Sequence, residues 1–137
     1  MPIIHHREVP ERERRPGHRV RNLVGPEQGA QGLTLTVSVL DQGAVVPLHT
    51  HRIEEAIVVQ EGQGVFHLGK ETVTVGPDAT VLVPPETIHG FHNAGPVPLT
   101  VLAASPSSTR SPSAGLPTWR ATRRRGTGKE QVSKSGS

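Results

Sequence analysis

From Leu33 to Ala103 the chain is a series of short apolar-rich runs, most of them ended by glycine or proline. In the first, Leu33, Leu35, Val37 and Val39 alternate with Thr34, Thr36 and Ser38. Period-two alternation over seven residues is the signature of a half-buried strand. Further β-type runs follow at 44–48, 55–60, 65–68, 72–75, 80–83, 88–93 and 97–103. Breakers at Gly62 and Gly64, Gly69, Gly76-Pro77, Pro84-Pro85 and Gly95-Pro96 separate them. Leu68-Gly69-Lys70-Glu71 reads as a hairpin turn. No helical i, i+3, i+4, i+7 stripe interrupts the series, so the spacing predicts an all-β sandwich or barrel.

Composition sets the limits of that domain. Residues 31–103 hold 31 apolar residues of 73, whereas residues 104–137 hold 6 of 34. The first segment can bury a core; the second cannot bury enough to offset its ordering entropy. Residues 1–30, with Pro2, Pro10, Pro16, Gly17, Gly25 and Pro26, read as an N-terminal arm carrying one short strand near 20–24. The expected organisation is an arm at 1–30, a barrel at 31–104 and a disordered basic Ser/Pro/Arg-rich tail at 105–137.

The charges divide along the same lines. The arm is net +2, the central segment −5 and the tail +6, so the sequence pI of about 10.2 describes the ends of the chain. The acidic central segment would repel phosphate and offers only Phe66 and Phe91 for stacking, which disfavours nucleic acid as a partner. The absence of cysteine excludes disulfides, thiolate catalysis and iron–sulfur ligation. The absence of tyrosine removes a phenolic acid or base. No run approaches the roughly 18 apolar residues of a membrane span, and the N-terminus lacks the apolar stretch of a signal peptide. The expectation is a cytoplasmic protein with no membrane partner.

Eight histidines stand at 5, 6, 18, 49, 51, 67, 89 and 92. His49, His51 and Glu55 are separated by even numbers, which on a continuous strand puts them on one face; a turn between them would break that parity. Imidazoles and a carboxylate turned into a barrel are costly unless paired, and a divalent cation offsets that cost. His92 is three residues from His89 and falls on the opposite face, whereas Phe91 and Asn93 share the face of His89. The alternation therefore makes Phe91 a pocket wall and Asn93 a hydrogen-bonding pocket position near the barrel end.

The flanking residues carry a resemblance. Gly43, His49, His51, Glu55 and Gly62 resemble the first motif of the cupin superfamily at every fixed position, and Pro84, His89 and Asn93 resemble the second. The resemblance covers roughly residues 20–104. It implies a double-stranded β-helix, or jelly-roll, barrel of the small single-domain kind. Carried over position by position, it implies His49, His51, Glu55 and His89 as ligands of one divalent transition metal ion. Three imidazoles and a carboxylate suit Fe, Mn, Ni, Cu, Co or Zn. The chain departs from the second motif at Asp78 and Glu86, where glycine is usual, so a different loop shape before His89 is expected.

A full ligand set implies a metal-dependent enzyme, dioxygenase-like, on a small organic substrate, with isomerase or lyase chemistry behind it. The alternative is a non-catalytic module that binds or senses a small molecule or a metal–ligand complex. Cupin epimerases that use a tyrosine acid, and thiol dioxygenases with a Cys–Tyr pair, are excluded by composition. Candidate apolar wall residues are Val37, Val39, Ile57, Val59, Phe66, Leu82 and Phe91. The arm is expected to dock on a second subunit in a homodimer.

Overall fold

The computed structural model describes residues 1–107 and the backbone of residues 120–121. The expectation of a disordered tail falls on residues that, apart from the first three and that two-residue strand, lie outside the described ones. Strands β1 (Arg12–Arg15), β2 (His18–Val24), β3 (Leu33–Leu40), β4 (Val45–Thr50), β5 (Glu55–Glu61) and β6 (Gly64–Leu68) come first. β7 (Glu71–Val75), β8 (Ala79–Val83), β9 (His89–His92), β10 (Leu99–Pro106) and β11 (Arg120–Ala121) follow. They form two sheets, ordered β1-β2-β3-β10-β5-β8 and β11-β4-β9-β6-β7. Every pairing is antiparallel. The two sheets face each other as a jelly-roll barrel. No helix among the described residues is long and apolar enough to cross a membrane.

The turns follow local chemistry. β6 and β7 meet with Leu68 opposite Glu71, leaving Gly69 and Lys70 as a two-residue turn, and Gly69 takes the positive φ of 61° that such a turn requires. β1 and β2 close the same way around Pro16-Gly17, with Arg15 opposite His18 and Gly17 at φ 75°. Proline followed by a left-handed glycine is the pattern of a type II turn.

The closed end of the barrel is the core. Leu40, Ile57, Val59, Phe66, Val83, Leu99 and Val101 are all buried there. Each such side chain contributes about 1.5–3 kcal/mol by leaving water.

Two expectations need correction here. The segment read as an arm supplies two strands of the larger sheet: β2 pairs with β3 from His18↔Leu40 to Val24↔Leu35 and buries Val20 and Leu23. The facing of β3 is also inverted. Thr34, Thr36 and Ser38 line the interior cavity, and Val37 and Val39 do not. Leu82 likewise lies outside, 61% exposed. The rule that apolar residues face inward assumes a filled interior; β3 instead borders a cavity, and its polar face is turned to it.

Candidate metal centre

His49, His51, Glu55 and His89 converge from three places. His49 lies one residue before the end of β4 and His89 opens β9, directly opposite each other in the smaller sheet. His51 lies in the crossover after β4, and Glu55 opens β5 in the larger sheet. His49, His51 and Glu55 are thus not one face of one strand; the turn at residues 51–54 breaks the strand, as the parity argument allowed, and the carboxylate reaches in from the opposite sheet. One potential ligand atom from each of the three histidines lies within 4.8 Å of the others. Glu55 Oε1 is 3.2 Å from His51 Nε2 and 3.4 Å from His89 Nε2. All three imidazoles are buried, and the Glu55 side chain is 16% exposed.

Hydrogen bonds fix the orientation of each ring. Nδ1 lies 2.8 Å from the carbonyl of Pro47 in His49, of Ile53 in His51 and of Thr87 in His89. A carbonyl only accepts, so each Nδ1–H donates and each Nε2 presents its lone pair to the centre. His49 is held neutral, its pKa pushed down to about 3 by burial first and by the adjacent His89 and His51, against the Pro47 hydrogen bond and Glu55. Burial alone would raise the Glu55 carboxyl. Its contacts with His51 and His89 Nε2 lower it to about 2 where those nitrogens carry positive charge or a proton toward Oε1, and a cation in that position would likewise keep the carboxylate ionised. His89 Nε2 is buried without a hydrogen-bond partner among the described residues. Inward lone pairs, an ionised carboxylate and an orphaned ring nitrogen form an arrangement that a divalent cation satisfies and a neutral core does not.

A bulge makes the triad possible. Between Val46↔Phe91 and His49↔His89, β4 has one residue more than β9. Without it, Val46 and His49, an odd number apart, would face opposite ways; with it, both reach the interior. Gly90 permits the crowding: a Cβ there would lie 2.7 Å from the Val46 carbonyl oxygen and 3.0 Å from the Leu48 nitrogen.

A cavity of about 580 Å³ opens onto His49, Glu55 and His89. Ile57, Phe91, Val101 and Ala103 give it apolar walls, and the Phe91 ring stacks on Phe66 at 4.6 Å. Val59 and Phe66 are packed in the core rather than on its surface. Asn93 is not brought to the cavity. It is fully buried, donates from Nδ2 to the carbonyls of Leu40 and Val97, and accepts from the Gly95 N–H. That arrangement ties the β9–β10 loop to the end of β3. His92 lies on the outer face, stacked against His67 at 5.6 Å. Glu86 is exposed and 4.0 Å from Arg52.

Residues that the sequence reading left in the arm also border the cavity: Arg14, Arg15 and His18. The Pro16-Gly17 dipeptide between two charged, strand-compatible runs was the signal that could have placed them in a hairpin.

The comparisons bear on family and fold. A model of the cupin domain matches residues 36–105. Over 92 residues the chain is 33% identical to the uncharacterized protein MJ1618 of Methanocaldococcus jannaschii, spanning 65% of this chain and 73% of that one. Among solved structures it is similar to the polyketide cyclase RemF from Streptomyces resistomycificus, with a TM-score of 0.75 and 26% identity, covering 91% of this chain and 87% of that one. It is also similar to KdgF from Halomonas sp., with a TM-score of 0.69 and 21% identity, covering 77% and 94%; that likeness speaks for the fold alone. The family match spans the strands that carry His49, Glu55 and His89, and the chain belongs to the cupin family.

Proposed function

We propose that this cupin is a metal-dependent enzyme that acts on a small, largely apolar organic substrate bearing carbonyl or enol oxygens. The observation that carries the reading is the cavity of about 580 Å³, which joins an apolar wall to the donor set of His49, Glu55 and His89. Its volume falls within the roughly 300–1,000 Å³ of small-molecule sites. A bound divalent ion would supply Lewis-acid polarisation of a substrate oxygen, or a water of lowered pKa. The chain's own residues do the rest. Phe91, backed by Phe66, offers a flat surface for an unsaturated ligand. Ile57, Val101 and Ala103 exclude water from the polar end. The backbone carbonyls of Pro47, Ile53 and Thr87 hold the three imidazoles in one tautomer.

Similarity to a polyketide cyclase over nine-tenths of the chain favours ring-forming chemistry on a polycarbonyl substrate, which needs no oxidant. A dioxygenase-like activity is the second reading, favoured by a nitrogen-rich donor set that also suits Fe, Mn and Cu. Reconstitution with Fe(II), Mn(II), Co(II), Ni(II), Cu(II) and Zn(II), followed by incubation with aromatic 1,3-diketones and linear triketones, separates them. Turnover that requires a divalent ion, persists without oxygen and survives with Zn(II) is the expected result. Oxygen uptake confined to redox metals would favour the dioxygenase. Saturable binding without turnover under any ion would contradict both and leave a binding module.

A further inference from the structure

We propose that the cavity wall built by Arg14, Arg15 and the His18–Ser38 pair is an anion subsite that takes the carboxylate of an otherwise apolar acid. The inference rests on the reading above that the cavity receives a small organic ligand. It adds which end of that ligand is charged and what holds it.

The wall is made of donors. Arg14 and Arg15 both border the cavity, and the irregularity in the β1–β2 pairing between Glu13 and Arg15 lets two consecutive side chains reach it. The acids nearby are engaged elsewhere. Glu11 and Asp41 pair with Arg19 and Arg21, and Glu13 accepts from the Gly17 N–H. Among the described residues neither Arg14 nor Arg15 has an ion-pair partner, and Glu55 is the one carboxylate on the cavity lining, set against the histidines.

His18 connects this charge to the interior. It is buried, with Nδ1 3.4 Å from Arg15 Nη1 and Nε2 3.1 Å from Ser38 Oγ. A guanidinium only donates, so His18 Nδ1 accepts and Nε2–H donates to Ser38. Burial first, then the charges of Arg15, Arg14 and Arg19, push the His18 pKa down to about 4, which keeps the ring neutral in that relay. Ser38 Oγ thus accepts from His18 and keeps its own O–H for the cavity. The neighbouring Thr34 hydroxyl is already spent on Ser105. Two guanidinium groups with no carboxylate partner among the described residues, and a hydroxyl whose O–H is left over, form a site for an anionic oxygen, and a carboxylate matches the guanidinium fork.

The test compares 2-naphthoate with 2-naphthamide, ligands alike in shape and different in charge. Binding to the full chain is measured by calorimetry, both metal-loaded and after chelator treatment. The acid should bind at least about tenfold more tightly than the amide in both states. R14Q/R15Q should erase that preference while changing amide affinity less than about threefold, and S38A should weaken the acid several-fold. If the double variant folds poorly by circular dichroism, R14Q alone carries the same expectation at smaller size. Equal affinity of acid and amide, or a preference untouched by the arginine substitutions, overturns the subsite. A preference that exists only with metal and survives R14Q/R15Q puts the carboxylate on the metal centre, so the subsite falls and the metal reading stands. A preference kept in a protein that takes up no metal supports the subsite and removes the metal reading. No binding of either ligand overturns the subsite, and metal uptake alone then decides the metal reading.

Discussion

Glu86 has a φ of 66° and Asp78 a φ of 69°, the two non-glycine residues with positive φ among those described. These are the two positions at which the sequence departs from the cupin motif, and the backbone keeps there the left-handed form that glycine favours. The loop before His89 therefore holds its shape against the side chain, tied by the Glu86 N–H donating to the His51 carbonyl at 2.8 Å. A side chain in that region costs about 1–2 kcal/mol, and glycine gives back part of this as unfolded-state entropy. The exposed Arg52–Glu86 pair adds little. Glu86→Gly should raise stability by about 0.5–1 kcal/mol, read from the denaturant midpoint; a loss of that size would show that the side chain supports the loop. At this scale the sequence was informative about His49, His51, Glu55 and His89, because ligand spacing is local and chemical. It read Asn93 rightly as a hydrogen-bonding position but wrongly as part of the pocket, because alternation says nothing of the Leu40, Gly95 and Val97 backbone groups that take up its amide.

β4 and β9 show what a periodic reading of strands misses. Alternation located both, but the extra residue between Val46 and His49 changes the parity halfway along β4. A bulge leaves no mark in a hydrophobic pattern. The legible trace was Gly90, whose missing Cβ is what lets the β4 backbone approach. Gly90→Ala should cost about 1–3 kcal/mol of stability through overpacking, and it should lower metal affinity by moving His49 away from His89. Thermal melts and metal content of the purified variant check this; wild-type values for both would mean that the strands are not held in register by that contact. β3 illustrates a second limit. Its alternation correctly marks a strand, yet its polar face is the inner one, because the space it borders is a cavity and not a core.

The described residues form a barrel with a packed apolar core and a cavity that carries the polar groups. The all-β class and the jelly-roll architecture were legible from the spacing of Gly and Pro and from the paired motifs. Of β1 and β2 only a short strand near 20–24 was legible; β1 and the pairing of both into the larger sheet were not, because strand pairing between residues 18 and 40 is a long-range fact and the arm's breakers and charges dominate its local pattern. That pairing brings Arg14, Arg15 and His18 to the same cavity as the histidines. Across the barrel, His49, His51 and His89 meet Glu55 from the opposite sheet, so an ion bound there would cross-link the two layers and stabilise the folded state by mass action. The most direct measurement is metal content by elemental analysis, paired with melting temperature before and after chelation, for wild type, His89→Ala and His92→Ala. Wild type and His92→Ala should each hold about one divalent ion per chain and melt several degrees lower once it is removed, whereas His89→Ala should hold little and show no chelator effect. A wild-type protein that takes up no Fe, Mn, Co, Ni, Cu or Zn at neutral pH, or a His89→Ala variant that keeps its full complement, would contradict the metal centre.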